Sequence, residues 1–247
     1  MAESIMTDED QPDTLALNAA DYVASAAKAA LGAIPFAGSL LAELAGTVIP
    51  NQRIDRLVRF ADELEQRLNN VQQEAVRAQL TNENFTDLME EGLRQAARST
   101  TNERRQHIAS VIANSLKADD ISFVESKHLL RLLGEINDIE VIWLRYYLHT
   151  VAKDDEFRSR HNEVLTPVAA TMTSPRSEID KETLQGSYKQ HLHQLGLLSE
   201  RHRVDSKSGM PECDRASGRP KVIGYELTRL GRLMLRYLDC CEPEQAG

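Results

Sequence analysis

The chain is short of cysteine, short of aromatics, and has no long unbroken apolar run. Its three cysteines are Cys213, Cys240 and Cys241; an odd number with an adjacent pair makes a poor disulfide framework and points to a reducing compartment. Aromatics at 5% leave little to fill a large sheet core, whereas Ala, Leu, Glu, Gln and Arg abound and favour helix. The opening, MAESIMTDEDQPD, is acidic where a secretory leader is basic, so the expected location is the cytoplasm. Also missing are a phosphate-cradling Gly-x-x-x-x-Gly-Lys-Ser/Thr, a Gly-x-Gly-x-x-Gly after a strand, and a nucleophile elbow. Nucleotide hydrolysis and acyl transfer lose their usual signatures, and the expectation is a protein that is not an enzyme and takes no cofactor.

What is present is an ordinary globular composition, 41% hydrophobic and 27% charged over 247 residues. That length buries a core without disulfide or metal. The net charge of −9 is unevenly spread: residues 1–180 hold 18 basic and 29 acidic residues, while Lys181 to Arg236 hold 11 basic and 6 acidic. An anionic partner is expected only in the second region.

The fold class read from this is mainly α, a helical bundle with a long heptad helix plus a C-terminal module containing a small β-hairpin. Residues 1–13 read as a disordered start, 14–134 as the bundle with an apolar hairpin at 29–50, 135–241 as the C-terminal module with an irregular segment at 153–180, and 242–247 as a tail. In the bundle, Ile54, Leu57, Ala61, Leu64, Leu68, Val71, Ala75 and Ala78 alternate spacings of three and four, a heptad seam on one long helix. Phe85, Leu88, Met89, Leu93 and Ala96 mark a second helix. Thr100 and Glu103 have capping-box spacing before a third, with buried stripe Ile108, Val111, Ile112 and Leu116. Asp119 or Asp120 is expected to cap a helix carrying Val124, Leu130 and Leu133, and Asn137 or Asp138 to cap the aromatic helix of Ile139, Ile142, Trp143, Tyr146 and Tyr147.

The C-terminal order is helix, strand, long loop, strand, helix. A helix through Tyr188, Leu192 and Leu195 ends at Gly196, which supplies a left-handed turn. Val222 to Thr228 reads as a returning strand with Thr228 as a cap, and Leu230 to Leu238 as a last amphipathic helix. Leu195-Gly196-Leu197-Leu198 and Leu227-Thr228-Arg229-Leu230-Gly231 resemble phrases of winged-helix modules of transcription regulators. If the resemblance extends to DNA, Lys181, Lys189, Gln190, His191 and His193 would lie on or near the helix entering a major groove. Arg215, Arg219 and Lys221 would then lie on the wing near phosphates or the minor groove. Gly218-Arg219-Pro220-Lys221 is similar to the core of minor-groove hooks, against the plain reading as a solvated turn. Winged helices also serve as protein-contact modules, and few arginines on the recognition helix favour that use.

Between Ala29 and Gln52 only Glu43 is charged, but Gly32, Pro35, Gly38 and Gly46 interrupt the run, which argues against a constitutive membrane span. Gly38, Ala42 and Gly46 recur every four residues. They make either a close-packing stripe inside a soluble bundle or a latent membrane hairpin that inserts only on activation.

Glu91-Gly92-Leu93-Arg94-Gln95-Ala96-Ala97, Ile112-Ala113-Asn114-Ser115-Leu116, Leu195-Gly196-Leu197 and Leu227-Thr228 together resemble the abortive-infection alpha family of bacterial proteins, over about Arg53 to Tyr237. The resemblance implies a role in defence against phage and brings no catalytic residues. The expected partner is another protein or a second copy of the chain, with DNA as the alternative through the C-terminal module. His191 and His193 at i and i+2 point about 200° apart on a helix, which disfavours one shared metal ion, and no metal is expected. The pairs Asp119-Asp120, Asp154-Asp155 and Glu90-Glu91 read as caps and solvated faces rather than general acid/base pairs, His107 and His128 as boundary residues, and Arg104-Arg105 as a solvated helix face.

Overall fold

The computed structural model describes residues 53–68, 76, 78–79, 81–117, 121–148, 155–171, 173–205, 209–214 and 218–241. The apolar hairpin at 29–50, with Gly38, Ala42 and Gly46, lies outside the described residues, as do Arg215 and both Asp119 and Asp120. The described residues are mainly helical with a two-stranded antiparallel sheet. No helix among the described residues is long and apolar enough to cross a membrane. The chain divides into two compact units, Met1–Lys117 and Ala118–Gly247. The first thus ends seventeen residues before the boundary expected from sequence.

In the first unit, α1 (Ile54–Leu68), α2 (Glu83–Arg98) and α3 (Asn102–Lys117) pack on one another in a bundle-like arrangement. The buried side of α1 is Leu57, Phe60, Ala61, Leu64 and Leu68. That set, with Phe60 and Ala61 adjacent, is the broad stripe of a 3.6-residue period rather than a strict heptad seam. Further on, Val76 is buried and Ala78 exposed, so the predicted register does not reach Ala78. On α2, Phe85, Leu88, Met89, Leu93 and Ala96 are buried as the spacing requires. Gly92 keeps α2 close to α3, since a Cβ there would stand 2.5 Å from Ile112 Cδ1.

α3 is buried on most of its circumference, through Ile108, Ala109, Ser110, Val111, Ile112, Ala113 and Ser115; small residues let it touch both neighbours. Leu116, expected in the stripe, is half-buried. The helix starts one residue later than its expected capping box: Thr101 Oγ1, not that of Thr100, accepts the amide of Arg104 at 3.3 Å. Arg105, expected on a solvated face, is 3% exposed, and its guanidinium donates to Ser99 O (3.1 Å), closing the end of α2. Burial, then the charges of Arg59 and Arg56, lower its pKa. Glu63 ties α1 to α3. It pairs with Arg67 (2.7 Å) and accepts from Gln106 (3.0 Å) and Asn102 (3.4 Å). Partial burial raises the Glu63 carboxyl, but these donors and the charge of Arg67 outweigh it and hold the group below its ordinary value.

The second unit begins with α4 (Phe123–Glu135). Its cap is Ser122, which forms a full capping box with Glu125, so neither expected aspartate serves. Leu130 and Leu133 are buried, while Val124 is 60% exposed. Asn137 caps α5 (Asp138–Tyr146) in a second capping box, with Glu140. The segment expected to be irregular contains α6 (Asp155–Arg160) and α7 (Asn162–Leu165) and the first turn of α8 (Arg176–Gln194). Strands β1 (Leu198–His202) and β2 (Val222–Leu227) pair from Leu198↔Leu227 to His202↔Val222, with Ile223 as the extra residue of a bulge. α9 (Arg229–Tyr237) closes the unit, capped by Thr228, whose Oγ1 accepts the amide of Gly231 at 3.0 Å.

Candidate functional site

The two phrases singled out in the C-terminal sequence meet in space. At the end of α8, Gly196 takes φ +73°. The Leu197 amide returns to Leu192 O (3.0 Å) and the Gly196 amide to His193 O (2.9 Å), the paired bonds of a Schellman stop. From the other side, Thr228 donates its hydroxyl to Gly196 O (2.7 Å) and its amide to Leu197 O (3.2 Å). Gly231 lies so close that a Cβ would overlap Leu197 O and stand 2.6 Å from Leu227 Cδ1. Leu-Gly-Leu and Leu-Thr-x-x-Gly are thus two halves of one joint.

The residues predicted to contact a partner separate into two groups. Lys181 and Gln190 are exposed on α8. Lys189 is half-buried instead, its Nζ 4.4 Å over the Trp143 ring, a cation–π contact; burial lowers its pKa. His191 Nδ1 lies 2.7 Å from Glu140 Oε1. Glu140 is only 3% exposed, and its Oε2 accepts the Asn137 amide at 2.8 Å. His193 Nδ1 meets Leu198 O at 3.1 Å, and its Nε2 lies 4.0 Å from Glu200 Oε1. The two histidines diverge as their spacing requires, one to α5 and one to β1. Lys189, His191 and His193 therefore hold α8 against its own unit.

Arg219 and Lys221 lie exposed on the excursion between β1 and β2. Lys221 Nζ stands 3.9 Å from Glu212 Oε2, as does Arg203 Nη1, so one carboxylate faces both bases. The Gly218-Arg219-Pro220-Lys221 phrase closes a turn: the Asp214 amide donates to Arg219 O (2.8 Å) and the Gly218 amide to Asp214 O (2.8 Å).

Sequence reasoning missed that this excursion is a duplication. Val204-Asp205-x-x-Ser208-Gly209-Met210-Pro211-Glu212 recurs nine residues on as Cys213-Asp214-x-x-Ser217-Gly218-Arg219-Pro220-Lys221. The described parts of the two lobes match. The Asp205 amide donates to Met210 O and the Gly209 amide to Asp205 O, both at 2.9 Å; Gly209 and Gly218 have φ +67° and +66°; and Val204↔Pro211 parallels Cys213↔Pro220. At the neck, amides run in a closed ring, Arg203 to Lys221 O (3.1 Å), Lys221 to Glu212 O (2.8 Å) and Glu212 to Arg203 O (2.7 Å). Four identities at an offset of nine residues were the available signal.

Aromatic and amide contacts finish the unit. Trp143, Tyr146, Tyr147 and Tyr225 form a chain with centroid steps of 5.5, 5.3 and 6.4 Å. Burial, then Tyr146 and Tyr225, push the Tyr147 phenol above its usual range. Arg145 covers Phe157 (4.3 Å) while Arg158 covers Tyr146 (5.0 Å), so α5 and α6 exchange cations over rings. Gln185, 6% exposed, donates to Val164 O (3.1 Å) and Thr166 O (2.9 Å) and accepts from the Val168 amide (3.3 Å). That single side chain clamps residues 164–168 to α8.

Cys213 is exposed, and burial pushes the Cys240 thiol up to about 12. Among the described residues no three His, Cys, Asp or Glu side chains are grouped to hold a metal ion. No protein-family model, curated protein or solved structure matches the chain.

Proposed function

We propose that the C-terminal unit is a winged-helix-like module used for protein contacts, and that the chain is a non-enzymatic bacterial defence effector of the abortive-infection type or a stress effector. The observation that carries the contact reading is that Lys189, His191 and His193 each meet a group of their own unit. What α8 offers outward over Arg176 to Ser187 is mixed, with Arg176 and Lys181 beside Glu178, Asp180 and Glu182, and with Ile179 and Leu184 exposed at 38% and 52%. Such a face suits a protein surface better than a row of phosphates, which selects for clustered bases. The resemblance to the abortive-infection family supplies the cellular setting.

The test is protection against phage in cells expressing the protein. Leu184→Glu should abolish protection while the purified variant keeps its helical content; full protection by Leu184→Glu would exclude this face as the contact surface. A second reading, a DNA-binding regulator, draws on the exposed Arg219 and Lys221. Duplex mobility at about 50 mM and about 200 mM salt decides it. The contact reading expects no shift at either, and a salt-sensitive shift lost in Arg219→Glu would establish the regulator instead. Membrane action through Gly38, Ala42 and Gly46 is tested by liposome leakage, expected to vanish in Gly38→Arg if the hairpin inserts.

A further inference from the structure

Two charged stripes stand outside everything assigned above. On α9, Arg229, Arg232 and Arg236 recur at i, i+3 and i+7, all exposed, on a helix with no acidic residue. The opposite face, Gly231, Met234, Leu235 and Tyr237, is buried, so this helix has no apolar side to lay into a bilayer. On α2, Glu83 and Asp87 are exposed at i and i+4, and Glu90 follows at i+7 with its side chain 31% exposed beside Arg94.

A spacing of three then four, read backwards, is four then three. Laid antiparallel, the helices set Glu83 against Arg236, Asp87 against Arg232 and Glu90 against Arg229. Each stripe covers about 10.5 Å of helix axis and an arc of about 60°, so charge and length match together.

Nucleic acid is the competing polyanion. However, residues 118–247 carry 18 basic and 21 acidic side chains, so the basic excess of Lys181 to Arg236 is offset within its own unit. In the excursion between β1 and β2, Glu212 already faces Arg203 and Lys221. A compact carboxylate stripe of matched pitch is the better complement.

We propose that the arginine stripe of α9 docks on the acidic stripe of α2 in a second copy of this chain, giving salt-dependent self-association. The contact joins unlike surfaces, so a reciprocal pair uses it twice and an open chain once per link. It rests on these two stripes and is independent of the contact role of α8. Exposed ion pairs are individually weak, so assembly grows with protein concentration and recedes as salt shortens the Debye length.

Sedimentation of the full chain at about 50 mM and about 500 mM salt reads this out. Self-association is expected at the lower salt and loss of it at the higher. Arg232→Glu alone and Asp87→Arg alone should each weaken it several-fold, since each places like charges opposite one another. Mixing the two variants should restore it, because every contact in the mixture can then pair opposite charges. Both sites are exposed, and unchanged circular dichroism verifies that the variants fold. A monomer at low salt, association unchanged in Arg232→Glu, or variants that fail to rescue each other would overturn the proposal. Duplex DNA binding lost in Arg232→Glu, with no self-association, would reassign the stripe to nucleic acid.

Discussion

The helices α1 to α3 and the unit from α4 to α9 are held together by different means. In the first, apolar residues recur with helical period and small residues let α3 sit between its neighbours, with Glu63, Gly92 and Arg105 added as single-residue ties. The energy is spread over many similar contacts. In the second, individual side chains have separate roles. Gly231 admits the α8 turn, Gln185 clamps a loop, Lys189 covers Trp143, and His191 meets a buried carboxylate. A periodic core tolerates conservative exchange, whereas a joint made of one glycine does not.

That contrast can be broken or sharpened at five positions. The largest effect is expected in the first unit, where Phe60→Ala removes a fully buried ring and should cost about 3–5 kcal/mol in urea unfolding. Next comes Gly231→Ala, where one methyl meets the backbone oxygen of Leu197 and should cost about 1–3 kcal/mol. Gln185→Ala should also cost about 1–3 kcal/mol, since it leaves two carbonyls and an amide without their partner. Its signature is local: amide exchange should quicken over 164–168 and not in α1.

The conservative core exchange Leu88→Met in α2 should fall below about 1.5 kcal/mol; if it exceeded Gly231→Ala, the distinction between the two units would collapse. The smallest effect has the opposite sign. Gly186, one residue along α8 from Gln185, has nothing within 4 Å of where a Cβ would stand, so Gly186→Ala should stabilise by about 0.5–1 kcal/mol. Two glycines of one unit answering the same substitution with opposite signs would confirm that space, not composition, decides.

The same contrast governs what could be read in advance. The stripe of α2, that of α3 up to Ile112, and the two strands with the Thr228 cap are legible because period and cap chemistry are local. Phe60 escapes notice because alternating spacings of three and four choose Ala61, while a 3.6-residue period buries both. Thr101 displaces Thr100, and Ser122 displaces Asp119 and Asp120, because a cap is fixed by where the helix starts and neighbouring hydroxyls or carboxylates look alike in sequence. Lys189, His191 and His193 read as a surface that meets a partner. Their inward partners, Trp143, Glu140 and Leu198, lie on other elements, and only tertiary placement reveals them. Gln185 reads as a polar residue on a polar helix until residues 164–168 come beside it.

The central claim is that those α8 side chains serve the fold. The unfolding midpoint of His191→Ala measures it most directly. Removing the ring strips a nearly buried Glu140 carboxylate of its neighbour at 2.7 Å and should lower stability by about 1–3 kcal/mol. Unchanged stability, with His191→Ala losing phage protection, would contradict it and return His191 to a partner surface.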